Sequence, residues 1–194
     1  YRAADSLTTG SFNVAIGADA MSNGAVTGST NVAIGFLSGC SVTSGSGNVL
    51  VGYGSANNIT TGENNICIGN VSGNAITTAS SNVCIGTSAG QSTTGYGSVF
   101  IGHEAGKNET SGGKLYIDNS GTSSPLIGGD FSARTVTING VLWVGGVMIA
   151  SGSGSPEGVI VAPVGSTFHR TDGGSGTSLY VKESGTGSAG WTAK

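Results

Sequence analysis

The side chains that most often do chemistry are few in this chain and widely separated. It has two histidines, His103 and His169, and neither has a spacing typical of a catalytic triad or a metal-binding motif. No two carboxylates are spaced in a way that points to glycoside cleavage. Three cysteines, Cys40, Cys67 and Cys84, match no zinc spacing and form no disulfide framework. The sequence therefore predicts a protein that is not an enzyme, with no metal site and no cofactor.

Residue types suited to binding are concentrated near the C-terminus. Aromatic and arginine side chains are enriched at the energetic centres of binding sites, and planar rings suit the faces of sugars. The alternative interpretation is that the aromatic side chains only fill the core of a small terminal module. The weak candidates for a receptor-binding site are Phe168, His169, Arg170, Tyr180 and Trp191.

A repeat that spans about half of the chain decides the architecture of residues 1–112. A short apolar strand ending in glycine occurs six times between Asn13 and Gly102, and the starts are 18, 17, 17, 17 and 16 residues apart. A fixed short period predicts stacked units, each of which buries its apolar face only against its neighbours. We predict an all-β fold: a β-solenoid shaft over residues 1–112, formed as a parallel β-roll of about six coils, followed by a β-rich C-terminal tip.

Alternation along each strand divides the motif residues between two faces. The second and fourth residues are β-branched and apolar in every copy, so we predict that they form the interior of the coil. These coil-core candidates are Val14, Ile16, Val32, Ile34, Val49, Val51, Ile66, Ile68, Val83, Ile85, Val99 and Ile101. The third residue points the other way and is also apolar, whereas a row facing solvent should be polar. We therefore expect other copies of the chain to cover it, in a homotrimer with the interface residues Ala15, Ala33, Leu50, Cys67, Cys84 and Phe100.

Asparagine begins five of the six copies. Stacked asparagine side chains form hydrogen-bonded ladders along a solenoid, and we prefer that interpretation to a ligand site. Cys67 and Cys84 recur in one column on successive coils, where we expect inert, buried side chains rather than a metal or redox site.

Three further segments follow the repeat. Residues 113–150 are predicted to be a β-rich connector, and residues 151–158 a flexible linker because they are rich in Gly and Ser. Within the connector, Arg134–Gly140 ends in an Asn-Gly turn signal, so Val141–Val144 is its predicted hairpin partner. Residues 159–194 are predicted to be a small C-terminal β-hairpin module.

The terminal hairpin is predicted to pair Ser166–Thr171 with Ser178–Glu183 across a Gly-rich turn. A module of this length is below the usual size for independent folding. Its size is therefore a second argument for association between chains.

The composition argues against several classes of partner. Seven Lys and Arg residues stand against ten Asp and Glu, and no basic stretch suits nucleic acid. No apolar run approaches the ~20 residues of a membrane helix, so we expect no membrane insertion. Glycine supplies 37 residues but proline only 3, which excludes collagen.

The repeat resembles the head repeats of trimeric autotransporter adhesins, which carry a similar Ser/Asn-Val-Ala-Ile-Gly-x-x-Ser/Ala unit. It is equally similar to shaft segments of phage tail fibres. The resemblance covers residues 6–106, although the adhesin repeat is shorter. In the adhesins the repeats form a left-handed parallel β-roll with three chains, which implies a homotrimer here. Residues 114–140 and 159–194 resemble the connector and the small C-terminal module of phage fibre proteins.

These resemblances imply a structural virion fibre, a tail fibre or appendage whose trimeric shaft and tip attach the virion to a host cell. The expected partners are the chain itself, other virion proteins and a host surface receptor, for which a glycan is one candidate. The alternative is a bacterial trimeric adhesin head at the cell surface, although that family continues into a coiled-coil stalk and an anchor. A glycan-cleaving tailspike or an ice-binding solenoid is less favoured, because no acidic cleft or flat Thr-x-Thr array is evident.

Overall fold

The computed structural model describes residues 2–194, and over that range it is all-β, as predicted. The chain forms two compact units, one ending at Thr137 and the other spanning Ile138–Lys194. The boundary lies within the segment 113–150 that the sequence indicates as a connector. Among the described residues, no helix is long and apolar enough to cross a membrane.

The first unit is built on one nine-stranded sheet whose strands lie side by side in chain order. Strands β1 to β7 are parallel and in register, so each coil places its strand directly on the preceding one, whereas β8 runs antiparallel to β7. This arrangement confirms the stacked coils of a β-solenoid. The strands are β1 Val14–Ile16, β2 Val32–Ile34, β3 Val49–Val51, β4 Ile66–Ile68, β5 Val83–Ile85, β6 Val99–Ile101, β7 Lys114–Ile117, β8 Ile127–Asp130 and β9 Thr135–Ile138.

Each of the six repeat coils has one three-residue strand, and turns form the rest of its circumference. The turns also stack through backbone hydrogen bonds. The amide of Thr43 donates to the carbonyl of Thr60 at 3.0 Å, and the amide of Thr60 donates to the carbonyl of Thr77 at 2.9 Å. The backbone groups of the turns are therefore paired between coils in the same way as those of the strands.

The predicted assignment of the two strand faces is wrong. The third motif residues lie inside the coil: Ala33, Leu50, Cys67, Cys84 and Phe100 are fully buried within a single chain, and Ala15 packs against the same core. They therefore cannot form an interface with another copy. The residues predicted as coil core lie on the outer face instead, half-buried or exposed: Val14, Ile16, Val32, Ile34, Val49, Val51, Ile66, Ile68, Val83, Ile85, Val99 and Ile101.

The width of the coil explains this reversal. A three-residue strand presents one side chain on one face and two on the other. The narrow interior accepts the single side chain, which packs against a column from the opposite turn that includes Val42, Ile59 and Ile76. Alternation could not reveal the inward face, because both faces of the motif are apolar.

The closing glycine of the motif is required by the stacking distance. Gly52 has a φ of 130°, and a Cβ there would lie 2.5 Å from the carbonyl oxygen of Gly69 on the next coil. A side chain would therefore force the coils apart at this corner, and glycine recurs there in every repeat.

The predicted asparagine ladder is confirmed, and it is fully buried from Asn31 to Asn82. The side-chain amide of Asn65 donates to Oδ1 of Asn48 at 3.1 Å and to the carbonyl of Ala79 at 2.9 Å. The backbone amide of Asn65 donates to the same Oδ1 at 3.0 Å. The pattern repeats from Asn31 to Asn82, so each asparagine connects consecutive coils through its side chain.

The second unit contains a five-stranded sheet. Strands β10 and β11 pair antiparallel, and β11 and β12 pair parallel. Strand β13 pairs antiparallel with both β12 and β14. The pairing of β12 with β13 confirms the predicted terminal hairpin. The strands are β10 Leu142–Val144, β11 Val147–Gly152, β12 Thr167–Arg170, β13 Leu179–Lys182 and β14 Trp191–Ala193.

Two predictions about the connector and linker differ from the structure. Strand β10 pairs with β11 through Gly145 and Gly146, not with residues 134–140. Both glycines have positive φ, 57° and 87°, which suits a two-residue hairpin turn better than the Asn-Gly site. The expected linker is ordered: it begins within β11, and the carboxylate of Glu157 accepts hydrogen bonds from the amides of Gly190 and Trp191 at 3.2 and 2.7 Å.

One buried hydroxyl in the core offers a direct stability test. Thr93 occupies the column position filled by Val42, Ile59 and Ile76 in earlier coils, and its buried Oγ1 has no hydrogen-bond partner. Thr93→Val should therefore raise the free energy of unfolding by ~1 kcal/mol, because it removes an unsatisfied polar atom at nearly constant volume. Denaturant unfolding measures the change, with Thr78→Val at an exposed turn as the control. Destabilisation by Thr93→Val would contradict this account.

The ladder predicts a contrast between two asparagines. Asn65→Ala should lower the free energy of unfolding by ~3 kcal/mol or more, because it leaves several buried donors and acceptors unpaired. Asn58→Ala removes only exposed hydrogen bonds to Asn74 and should cost less than about 1 kcal/mol. Thermal and denaturant melts of both variants make the comparison, and equal losses would show that the ladder is not a main source of stability.

Candidate functional site

The outward Val and Ile side chains of β1 to β6 form two continuous apolar columns, here called the Val/Ile face. The strands are in register, so the side chains of successive coils lie directly above one another. Ile16 is 57% exposed, and Ile66, Ile68, Ile85 and Ile101 are 37 to 38% exposed. A contiguous exposed apolar surface of this kind marks an interaction site.

Aromatic side chains continue the apolar surface at the edge of the Val/Ile face. Phe36 and Tyr53 directly follow the closing glycine in successive repeats, and both are largely exposed. Their ring centroids are 5.6 Å apart, with an angle of 31° between the planes. The two rings therefore form a small exposed aromatic stack.

The strands that end the first unit and begin the second also carry exposed apolar side chains. In β9, Val136 is 67% exposed, and in β10, Trp143 is 57% exposed. Every residue of these two strands is classed as exposed. Apolar strands without a covered face are typical of chains that bury them against a partner.

The terminal unit places three of the predicted receptor-binding residues in its core. Phe168, Tyr180 and Trp191 are 4, 8 and 6% exposed, and Phe168 meets Trp191 edge-to-face with centroids 6.4 Å apart. The indole Nε1 of Trp191 donates to the carbonyl of Ile160 at 2.9 Å. The receptor-binding prediction is therefore wrong for these three residues, because their rings are needed to fill a small core.

His169 and Arg170 remain accessible. His169 alternates with Phe168 along β12 and points to the exposed face. Nε of Arg170 donates to Oδ1 of Asp172 at 2.7 Å, and this hydrogen bond holds the pKa of Asp172 below its usual value. His169 therefore lies on the exposed face of β12, whereas Arg170 is half-buried on the face that carries Phe168, with 25% of its side chain exposed.

Sequence reasoning did not anticipate the fully buried Lys182. Its Nζ donates to the carbonyls of Gly187 and Ala189 and lies 5.7 Å from the ring centroid of Trp191. Carbonyl oxygens and the aromatic face thus stabilise the ammonium group. The available signal was the spacing of two residues between Tyr180 and Lys182, which places both side chains on the inner face of β13.

Cys67 and Cys84 are buried, as predicted. All three cysteines are free and buried, and Cys67 and Cys84 face each other on adjacent coils. The hydrogen bond with Cys84, together with burial, raises the pKa of Cys67 well above its usual value. A protonated, inaccessible thiol is a poor nucleophile and a poor metal ligand. Over residues 2–194, no three His, Cys, Asp or Glu residues are grouped so that they could hold a metal ion.

Comparison with models of protein families, with curated proteins and with solved structures found no match for this chain. Its function is therefore inferred from the repeat pattern and from the surfaces described above.

Proposed function

We propose that this chain is a non-enzymatic structural fibre of a virion, and that three copies form a shaft and tip for attachment to a host cell. The observation that carries the proposal is the Val/Ile face. A single solenoid leaves this apolar surface half-buried or exposed along six coils. A protein that acts alone in water rarely retains such a surface, whereas a fibre of parallel chains buries it.

The proposed trimer uses a different interface from the one that the sequence first indicated. The third motif residues are enclosed within each coil, so the Val/Ile face contacts the other copies instead. Three copies around a threefold axis bury the same face of every chain and leave no face open for further growth. The number three comes from the resemblance to trimeric adhesin heads and phage fibre shafts.

The virion role is supported by the resemblance of residues 114–140 and 159–194 to the end of phage fibre proteins. A bacterial adhesin head at the cell surface is the second candidate, because the Val/Ile face suits either assembly equally. Immunogold electron microscopy with an antibody to this chain separates the two. Labelled virion fibres would support the proposal, whereas label confined to bacterial surfaces would favour the adhesin.

The interface predicts a specific effect of charge on the outer face. Ile68 is 38% exposed in the single chain, so Ile68→Asp should leave the coil folded. In a trimer the same carboxylate would be buried without a partner, so the variant should be monomeric. Light scattering after size exclusion, with circular dichroism to check folding, measures both effects.

The matched control for this experiment is Thr78→Asp at an exposed turn, which should remain trimeric. A monomeric wild-type chain would contradict the trimer. A trimeric Ile68→Asp variant would contradict this interface.

Receptor contact is proposed for exposed His169 and half-buried Arg170 of the terminal unit. His169→Ala together with Arg170→Ala should reduce attachment to host cells at least tenfold, on the scale of hot-spot residues. The double variant should keep its trimeric state, because neither side chain fills the core. Cell-binding assays with the fluorescent full chain make the measurement, and undiminished attachment would place the receptor site elsewhere.

A further inference from the structure

A cavity opens at the end of the solenoid where the stacking of coils stops. The inward column of side chains continues from Phe100 to Tyr116, which pairs in register with it and meets it edge-to-face at 5.7 Å. Beyond Tyr116 no further coil covers the column, because β8 turns back antiparallel. The resulting cavity of about 240 Å³ is lined by Gly106, Asn108, Glu109, Tyr116, Gly121, Thr122 and Ser123.

The lining of this cavity differs from every earlier layer of the core. The inward residue of each preceding strand is apolar, whereas this layer carries a phenol, a carboxylate, an amide and two hydroxyls. The hydroxyl of Tyr116 donates to Oε2 of Glu109 at 2.8 Å, and the amide of Ser111 donates to Oε1 at 2.8 Å. The carboxylate is therefore held in a fixed orientation at the mouth of the cavity.

The charge state of the two groups follows from these contacts. Partial burial opposes ionisation of Glu109, but the hydrogen bonds from Ser111 and Tyr116 outweigh it and hold the pKa of Glu109 below its usual value. Burial and the hydrogen bond to Glu109 raise the pKa of Tyr116 to about 12. At neutral pH the cavity therefore offers one anionic acceptor beside a neutral phenol.

The surrounding charges argue against an anionic ligand. No basic side chain lines the cavity, and the two nearby lysines are already paired. Lys107 contacts Glu104 at 2.6 Å, and Lys114 contacts Asp130 at 2.7 Å. A ligand that suits the site is uncharged, carries several hydroxyls for the polar lining, and has one apolar face for the ring of Tyr116.

We propose that this cavity binds one ring of a neutral sugar, a terminal hexopyranose of a larger glycan. Its volume is below the ~300–1,000 Å³ typical of pockets for drug-sized ligands, which suits a single ring. The hydroxyls of the sugar donate to the Glu109 carboxylate and exchange hydrogen bonds with Asn108, Thr122 and Ser123. The site goes beyond the fibre role proposed above and involves none of the terminal residues.

The test is ligand-observed NMR on the full chain with the methyl glycosides of glucose, galactose and mannose at millimolar concentration. At least one should bind, and Glu109→Gln should weaken that binding about tenfold or more, because a charged acceptor is lost. Tyr116→Phe keeps the contact with Phe100 but releases the carboxylate, and it should also weaken binding. The control is Glu63→Gln on an exposed turn, which should bind as the wild type does.

Melting temperatures of the variants show whether they are folded, and a second variant, Thr122→Val, tests another lining residue if Glu109→Gln fails to fold. Failure of all three glycosides to bind the wild type would overturn the proposal. Binding that survives Glu109→Gln or Thr122→Val unchanged would also overturn it. None of these results bears on the trimer or on cell attachment, which are measured separately.

Discussion

The structure depends on the hydrogen bonds that tie each coil to the next, above all on the buried asparagine ladder. A thin coil has little apolar volume, so its backbone groups must be paired between layers rather than shielded by a thick core. Each ladder asparagine satisfies groups on both neighbours, which requires the same residue at the same place in every coil. The ladder ends at Ser98, whose amide still donates to Asn82 at 3.0 Å, and the regular repeat ends soon after.

The same thin cross-section underlies the proposed association between chains. One side chain per strand fills the interior, and the two flanking residues remain outside although they are apolar. The same three-residue strand thus provides both the core of the coil and the surface for the proposed association between chains. A more polar outer face would make a soluble single rod, so the retained Val and Ile side chains are best explained by contact with other copies.

The ends of a solenoid differ from its middle because nothing continues the stack there. At the coil that ends with Tyr116, polar groups enter the core column and form a cavity beside Glu109. In the terminal unit, a small aromatic core encloses Lys182 instead, and His169 of β12 is exposed at the proposed recognition surface. Regular repeats therefore supply length, and the irregular positions supply the sites at which specific binding is proposed.

The sequence by itself determined the solenoid, the period of its coils, the asparagine ladder and the terminal hairpin. Each of these depends on the spacing of residue types along the chain, which the sequence states directly. Only the tertiary structure decided which face of the strand is inside, because Val49 and Leu50 are equally apolar and burial depends on the width of the coil. It also decided that Phe168 and Trp191 serve as core, and that Glu109 meets Tyr116, since these contacts join segments whose separation follows no repeat.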